Sequence, residues 1–316
     1  MAKSVLNSKE LHDETAAYTW VETRLWPSGP VCPHCGGVVR IGKMQGKSTR
    51  IGTYKCYQCR KPFTVKVGTV FEDSHVPMHY WLQAMYLMCA SKKGVSSNQL
   101  HRTLNVTLKT AWFMSHRLRE AMRVTGLAPM GGEGEIVEVD ETFIGRVEGV
   151  PKQKSGSAHK NVVLTLVERD GTARSFHIDS TRRADVEGIM RANIRKESRL
   201  MTDEARHYKA IGREFASHES VNHGEEEYGR GIVHTNTVEG FYSVFKRGMK
   251  GVYQHCSERH LHRYLSEFDF RYSNRVRLGV DDVERTERAL MGVVGKRLTY
   301  RTTPQRGAIW QEPTQS

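Results

Sequence analysis

Four cysteines constrain this chain more tightly than any other feature. "CPHCGG" supplies Cys32 and Cys35, "CYQCRKPF" supplies Cys56 and Cys59, and twenty residues separate the pairs. Each CxxC turn presents two thiolates on one side of a tight knuckle. Four thiolates at about 2.3 Å close a tetrahedral zinc shell, and two CxxC pairs at this separation are a zinc spacing. Gly36 and Gly37 after the first knuckle and Arg60 after the second suit a zinc ribbon over residues 28–66. Two redox CxxC motifs are the competing reading. His34 sits inside the first knuckle, but four cysteines already complete the shell. A closed shell makes the metal structural. Lys43, Lys47, Arg50, Lys55, Arg60 and Lys61 make the ribbon basic enough for phosphate contacts. Cys89 and Cys256 stand alone and read as small buried hydrophobes.

The chain has 316 residues, enough for one large domain and smaller ones. Lys and Arg outnumber Asp and Glu by 48 to 35, which favours a polyanionic partner, nucleic acid first. No apolar run approaches the roughly twenty residues that a membrane span needs. "MAKSVLNSKELHDETAAY" lacks the apolar stretch of a signal peptide, so a cytoplasmic protein is expected.

The organisation reads as a series of segments. Residues 1–27 hold a short helix closed by Pro27 and Gly29. Residues 67–130 form a helical domain, with helical character throughout 75–128. Within it, "SSNQLHRTLNVTLKTAWFMSHRLREAM" predicts a helix, a turn near Asn105 to Thr107, and a second helix that Thr107 caps. As a helix-turn-helix, this unit would bring Lys109, Thr110, His116, Arg117 and Arg119 near a DNA groove; a plain helical bundle is the competing reading. "PMGGEGE" is a linker. Residues 134–180 alternate as strands, a helix follows over about 182–197, and a short apolar run ends at Asp203. After a polar stretch comes a long helical segment. In it Val238, Phe241, Phe245 and Met249 make a core stripe, beside a second stripe of Glu239, Ser243, Lys246 and Lys250. Residues 281–316 form a charged tail containing a helix and a strand.

Three acids have ordinary explanations one at a time. Asp140 in "GEIVEVDETFIG" faces away from Val137 and Val139, together with Glu138, and suits a solvated strand position. Asp203 suits an N-cap, and Glu239 suits a capping-box variant with Asn236. Together they come from a strand middle, a strand end and a helix start, in that order. Three carboxylates gathered at one point repel one another unless cations are present. Hard oxygen ligands of this kind suit Mg²⁺.

"VDETFIG", "TDEARHY" and "HTNTVEGFYSVFKRGMKGVYQHCSERHLHRYLSEFDFRY" resemble the DDE transposases of bacterial insertion sequences, in the ISXO-type, Merlin-related group with an N-terminal zinc ribbon. The resemblance runs over about residues 25–277. It implies an α/β chain whose RNase H-like catalytic domain, residues 131–280, follows the zinc ribbon and the helix-turn-helix-like domain. It also implies two Mg²⁺ ions, replaceable by Mn²⁺, on Asp140, Asp203 and Glu239. Lys246 matches the lysine two turns after the third acid. The group also uses Asn as the third metal-facing residue, and Asn236 stands one turn before Glu239. The charge of Glu239 and the face it shares with Lys246 favour Glu239. Further implications are cleavage and joining at terminal inverted repeats, binding of element ends and target DNA, a homodimer or larger assembly on DNA, and a nucleoid-associated protein.

Lys246, Arg247 and Lys250 are expected to contact DNA, alongside Lys109, Arg117 and Arg119. Between Phe241 and Arg277 there are eight Lys or Arg against three Asp or Glu. Two other classes fit the same residues: an RNase H-like nuclease or resolvase that cuts without joining, and a catalytically inactive DNA-binding protein of transposase descent.

Overall fold

Asp13 starts the first helix by accepting the Ala16 N–H at 2.7 Å, and α1 then runs Glu14–Leu25. The computed structural model describes residues 4–225 and 229–299. After α1 the chain forms a small antiparallel sheet, β1 (Ile41–Lys43), β2 (Tyr54–Cys56) and β3 (Pro62–Phe63), in which Ile41 pairs with Cys56 and Tyr54 with Phe63. Trp26 meets the rings of Tyr54 and Phe63 edge-on at 5.7 and 5.8 Å, so an aromatic wedge seats the ribbon at the end of α1.

The expectation of helix throughout 75–128 is corrected to three helices: α2 (Met78–Ala90), α3 (Ser97–Leu104) and α4 (Leu108–Met122). Asn105 ends α3 in the left-handed region at φ 50°, and Thr107 caps α4 by accepting the Thr110 N–H at 3.1 Å. The turn thus falls where the sequence placed it. The core of this layer draws on distant parts of the chain. Ala17 and Val21 of α1 pack with Trp81, Leu82, Met85, Leu100 and Leu118, and with Ala289 and Leu290 of α9 (Asp282–Met291). The tail helix therefore joins the helical layer. No strand forms in the tail among the described residues up to 299, where Val294 makes only an isolated bridge to Thr69; the rest of the segment for which a strand was expected lies outside the described residues.

Arg117 and Arg119 do not face a groove, contrary to the sequence reading, because α4 is covered on several sides. Arg117 donates to the Val70 and Glu72 carbonyls at 2.9 and 2.7 Å. Arg119, 1% exposed, donates to Glu267 at 2.7 Å and lies over the Tyr264 ring. His116 is also buried. Lys109 stays exposed on α4.

A five-stranded sheet follows: β4 (Ile136–Ile144), β5 (Asn161–Glu168), β6 (Ala173–Ile178), β7 (Arg199–Thr202) and β8 (Ser217–Ser220), in the order β6-β5-β4-β7-β8. The first three strands are antiparallel neighbours; β7 runs parallel to β4, and β8 parallel to β7. Alternation sends Val137, Val139, Leu164 and Leu166 to one face, against α5 (Arg183–Asn193) and α6 (Tyr208–Ile211). Val163 and Val167 face the other way, against α7 (Asn236–Gly248) and α8 (Leu261–Ser273). The long helix expected after the polar stretch is broken: α7 passes into a π-helical turn, Met249–Tyr253, and Gln254 at φ 58° turns the chain back toward α8.

One buried charge network ties the helical layer to the sheet layer. Glu267 of α8, 0% exposed, accepts from Arg119 of α4, from Arg271 and from the Tyr253 hydroxyl. Removing it strands two guanidinium groups away from water. Glu267→Ala is expected to cost about 3–5 kcal/mol of unfolding free energy in a denaturant titration; a change below about 1 kcal/mol would mean the network does not hold the layers together.

Candidate active site and metal centre

Among the described residues, the group of metal-ligating side chains whose ligand atoms all lie within 4.8 Å of one another is Cys32, Cys35, Cys56 and Cys59. The Cys32–Cys59 and Cys35–Cys56 sulfurs are 3.6 and 3.7 Å apart. A tetrahedron with zinc–sulfur bonds of about 2.3 Å has edges of about 3.8 Å, so the donor set fits structural zinc. Without metal the four thiols share protons: backbone N–H groups of Cys59 and Gln58 lower Cys56, while burial and hydrogen bonds from the other three thiols raise Cys35.

Strand register brings the first two acids together. Glu138 of β4 stands opposite Met201 of β7, and the strands are parallel. Two residues further along stand Asp140, in the middle of β4, and Asp203, the first residue after β7, and the two carboxylates act on each other electrostatically. Alternation puts Glu138 and Asp140 on the face that α7 covers, as Val137 and Val139 predicted. Burial, then Asp203, Glu141 and Glu239, raise the Asp140 carboxyl from 3.8 to about 7. Burial also raises Asp203, although its carboxylate accepts the Ala205 N–H at 3.0 Å. These three carboxylates are not drawn as close as the thiols are. Their mutual repulsion is what a divalent cation would remove, so the donor set fits a hard cation.

Glu138 fixes the start of α7, the helix that carries Glu239, against β4. Its fully buried carboxylate accepts the Thr237 and Val238 backbone N–H groups at 2.8 and 3.0 Å and the Thr237 hydroxyl at 2.8 Å. Those amides are orphan donors at the start of α7. Arg169 holds the other side of the carboxylate at 2.6 Å. One turn on, the Tyr242 hydroxyl donates to the Asp140 carbonyl at 2.5 Å. Thr235, the residue before α7, donates its hydroxyl to Glu239 at 3.0 Å.

Asn236 turns elsewhere. It lies on the flank of α7 with Gly240, lining a cavity with Arg169, Tyr272 and Arg275. Lys246 lies two turns beyond Glu239, its ammonium 5.8 Å from the Tyr242 ring centre. Arg247 and Lys250 are exposed further along α7 and its π-helical turn. Lys109 lies about a different groove, of roughly 900 Å³, between the start of α3 and the turn after α7, with Trp112 and His255. The sequence reading missed Glu141, which receives the His207 ring at 2.8 Å beside Asp203 and raises that imidazole. "VDETFIG" and "TDEARHY" contain both residues, but nothing in their spacing pairs them.

A family model described as the ISXO2-like transposase domain matches residues 132–273, and one described as the transposase zinc-ribbon domain matches residues 12–62. A protein of transposable element ISH50 in Halobacterium salinarum, itself uncharacterized, is 30% identical over 268 residues, 78% of this chain and 86% of that protein. A chain of a pre-cleavage Mos1 transpososome crystal structure is similar at 14% identity and a TM-score of 0.27, covering 62% of this chain and 71% of that one.

Two outcomes are expected from these centres. Elemental analysis should find about one zinc per chain, lost with Cys56→Ser; full zinc retention in that variant would contradict a four-cysteine shell. Asp140 carries its proton up to about pH 7 when folded, against 3.8 for an ordinary aspartate. Its ionisation therefore destabilises the metal-free fold as pH rises from about 4 to 7, and the whole penalty is present above 7. Asp140→Asn should stabilise metal-free protein at pH 8 by about 2–4 kcal/mol, and the gain should shrink toward pH 4. An equal gain at both pH values would mean that the effect is not electrostatic.

Proposed function

This chain belongs to the ISXO2-like transposases with an N-terminal transposase zinc ribbon, and we propose that it cuts and joins DNA at the ends of its element through Asp140, Asp203 and Glu239. The observation that carries this reading is the parallel pairing of β4 with β7, which runs Asp140 and Asp203 toward one another, and burial with Asp203, Glu141 and Glu239 pushes the Asp140 carboxyl up to about 7. A strand order β6-β5-β4-β7-β8, antiparallel through β6, β5 and β4 and parallel beyond, with a helix packed across β4, supports an RNase H-like catalytic domain.

Asp140, Asp203 and Glu239 would hold two Mg²⁺ or Mn²⁺ ions. Bound there, the metals would supply Lewis-acid activation of water and charge for the leaving oxygen. The remaining work belongs to the chain. Lys246 grips backbone phosphate as a point charge, while Arg247, Lys250 and Lys109 extend the cationic path. Glu138 and Tyr242 hold α7 against β4, which would keep the Glu239 backbone close to the strand that carries Asp140. Water attacks a phosphodiester at the element end, the P–O bond to the 3′ oxygen breaks, and that oxygen takes a proton to become a 3′-OH. The freed 3′-OH then attacks a target phosphodiester, and one P–O bond forms as another breaks. Positioning and charge neutralisation dominate such chemistry. The ribbon and the α3–α4 unit would read the terminal inverted repeats, and joining two ends requires a dimer or larger assembly.

Purified protein, given a duplex carrying one element end with its flank, should nick at the end in Mg²⁺ and then join into a plasmid. Asp203→Asn should lose both, by at least about 10³-fold. Nicking without joining would leave a nuclease or resolvase. End binding with no cleavage in Mg²⁺ or Mn²⁺ would leave a DNA-binding relic.

A further inference from the structure

The flank of α7 carries chemistry that the cutting site does not use. Asn236, Gly240 and Val244 are spaced four apart, so they form a stripe about a quarter turn round the helix from Glu239. Two adjoining cavities of about 550 Å³ each lie along it and share Gly240, Phe241, Tyr272, Arg275 and Arg277. The floor is apolar: Phe241, Val244, Phe268 and Tyr272. A side-chain carbon added at Gly240 would meet nothing within 4 Å, so the space above the helix is open.

The walls are cationic. Lys92, Arg271, Arg275, Arg277 and Arg285 line the groove against two carboxylates, Asp170 and Asp282; Arg277 pairs with Asp170 at 2.6 Å, but both side chains are exposed and the pair is weak in water. Arg285 is fully engaged, donating to the Asn274 and Cys89 carbonyls at 2.6 and 2.9 Å and to Asp282 at 2.5 Å. Arg271 is not. It is 7% exposed, one nitrogen donates to Glu267 and the Met88 carbonyl, and its Nε and Nη2 atoms have no hydrogen-bond partner. Arg119 shares the same Glu267, so two buried guanidinium groups face one carboxylate. The Arg271 donors are sealed from the groove, so the excess of buried positive charge acts on it as a field that favours an anion. Arg275 lies over the Tyr272 ring at 4.0 Å, presenting a flat cationic surface beside the apolar floor.

We propose that this groove holds an unpaired DNA strand at the cleaved end, with phosphates on Arg275 and Arg277, the charge of Arg271 behind them, and a base against the Phe241–Tyr272 floor. The proposal rests on the transposase reading, and names the part of the DNA that this flank takes. A duplex keeps its bases stacked inside and has no use for an apolar floor. A strand with splayed bases uses both floor and walls. The groove begins at Asn236, one turn from Glu239, so a strand leaving the acids enters it directly. An acidic protein segment is the competing occupant.

The test uses full-length, zinc-loaded protein and oligo(dT) carrying 5-iodouracil, cross-linked by light and mapped by peptide mass spectrometry. Cross-links should fall on the 241–277 segment. Arg277→Ala should flatten the slope of log affinity against log salt for oligo(dT) by about 0.7. Val244→Trp, which fills the groove, should weaken oligo(dT) about ten-fold and leave blunt duplex within about two-fold. Thermal melts establish that both variants fold, and Arg277 is exposed enough to change without disturbing the core. Cross-links confined to the ribbon or α3–α4 would overturn the proposal, as would equal weakening of duplex and single strand. Variants that change self-association in sedimentation but not oligo(dT) binding would assign the groove to a protein partner. None of these readouts requires cleavage, so a failure here is separable from a failure of Asp203-dependent nicking.

Discussion

Glu138 is a carboxylate with no exposed surface, placed in the middle of a strand, and three donors from the start of α7 converge on it. An ionised group in that position is tolerable only because Arg169 and those donors satisfy it. The consequence is geometric. A helix that could slide across a sheet on apolar contacts alone is pinned at its first turn to the strand that carries Asp140. Glu239 lies two residues after Thr237, so the staple sets where its backbone stands against β4. Tyr242, bonded to the Asp140 carbonyl, repeats the constraint one turn later.

The same helix separates three kinds of surface by angle. Val238, Phe241, Phe245 and Met249 are buried against the sheet and α8. Glu239 and Lys246 share a second edge of the helix, seven residues apart. Asn236, Gly240 and Val244 open onto the arginine-lined groove. On the proposed reading, acid and base stand two turns apart on one edge because they would act on different parts of one polyanion: carboxylates with cations at the reacting phosphate, and a lysine on the backbone beyond it. The sites farther from α7 are tied in by buried charge, through Glu267 between α4 and α8.

What the sequence made legible was local. CxxC spacing determines where thiols point, and the four sulfurs lie at tetrahedral edge lengths. Asn105 and Thr107 carry their own turn and cap chemistry, so the break between α3 and α4 could be read directly. Alternation around Asp140 gave the correct strand face. The acids as a set came from the resemblance of three motifs, since no periodicity joins Asp140 to Asp203. What stayed hidden depended on partners distant in sequence. Arg117 and Arg119 look like surface charges until Val70, Glu72 and Glu267 cover them. The polar edge strand β8, "SHES", has no strand signature of its own. The tail helix α9 shows an apolar face, but only the folded chain shows that this face completes the core of α1 and α2.

The most direct measurement is the anomalous scattering of crystals grown or soaked with Mn²⁺. A Mn²⁺ peak ligated by Asp140 together with Asp203 or Glu239, with Asn236 outside the shell, is the result this arrangement predicts. A peak bound through Asn236 in place of Glu239, or none near Asp140 while the cysteine site holds its zinc, would contradict it.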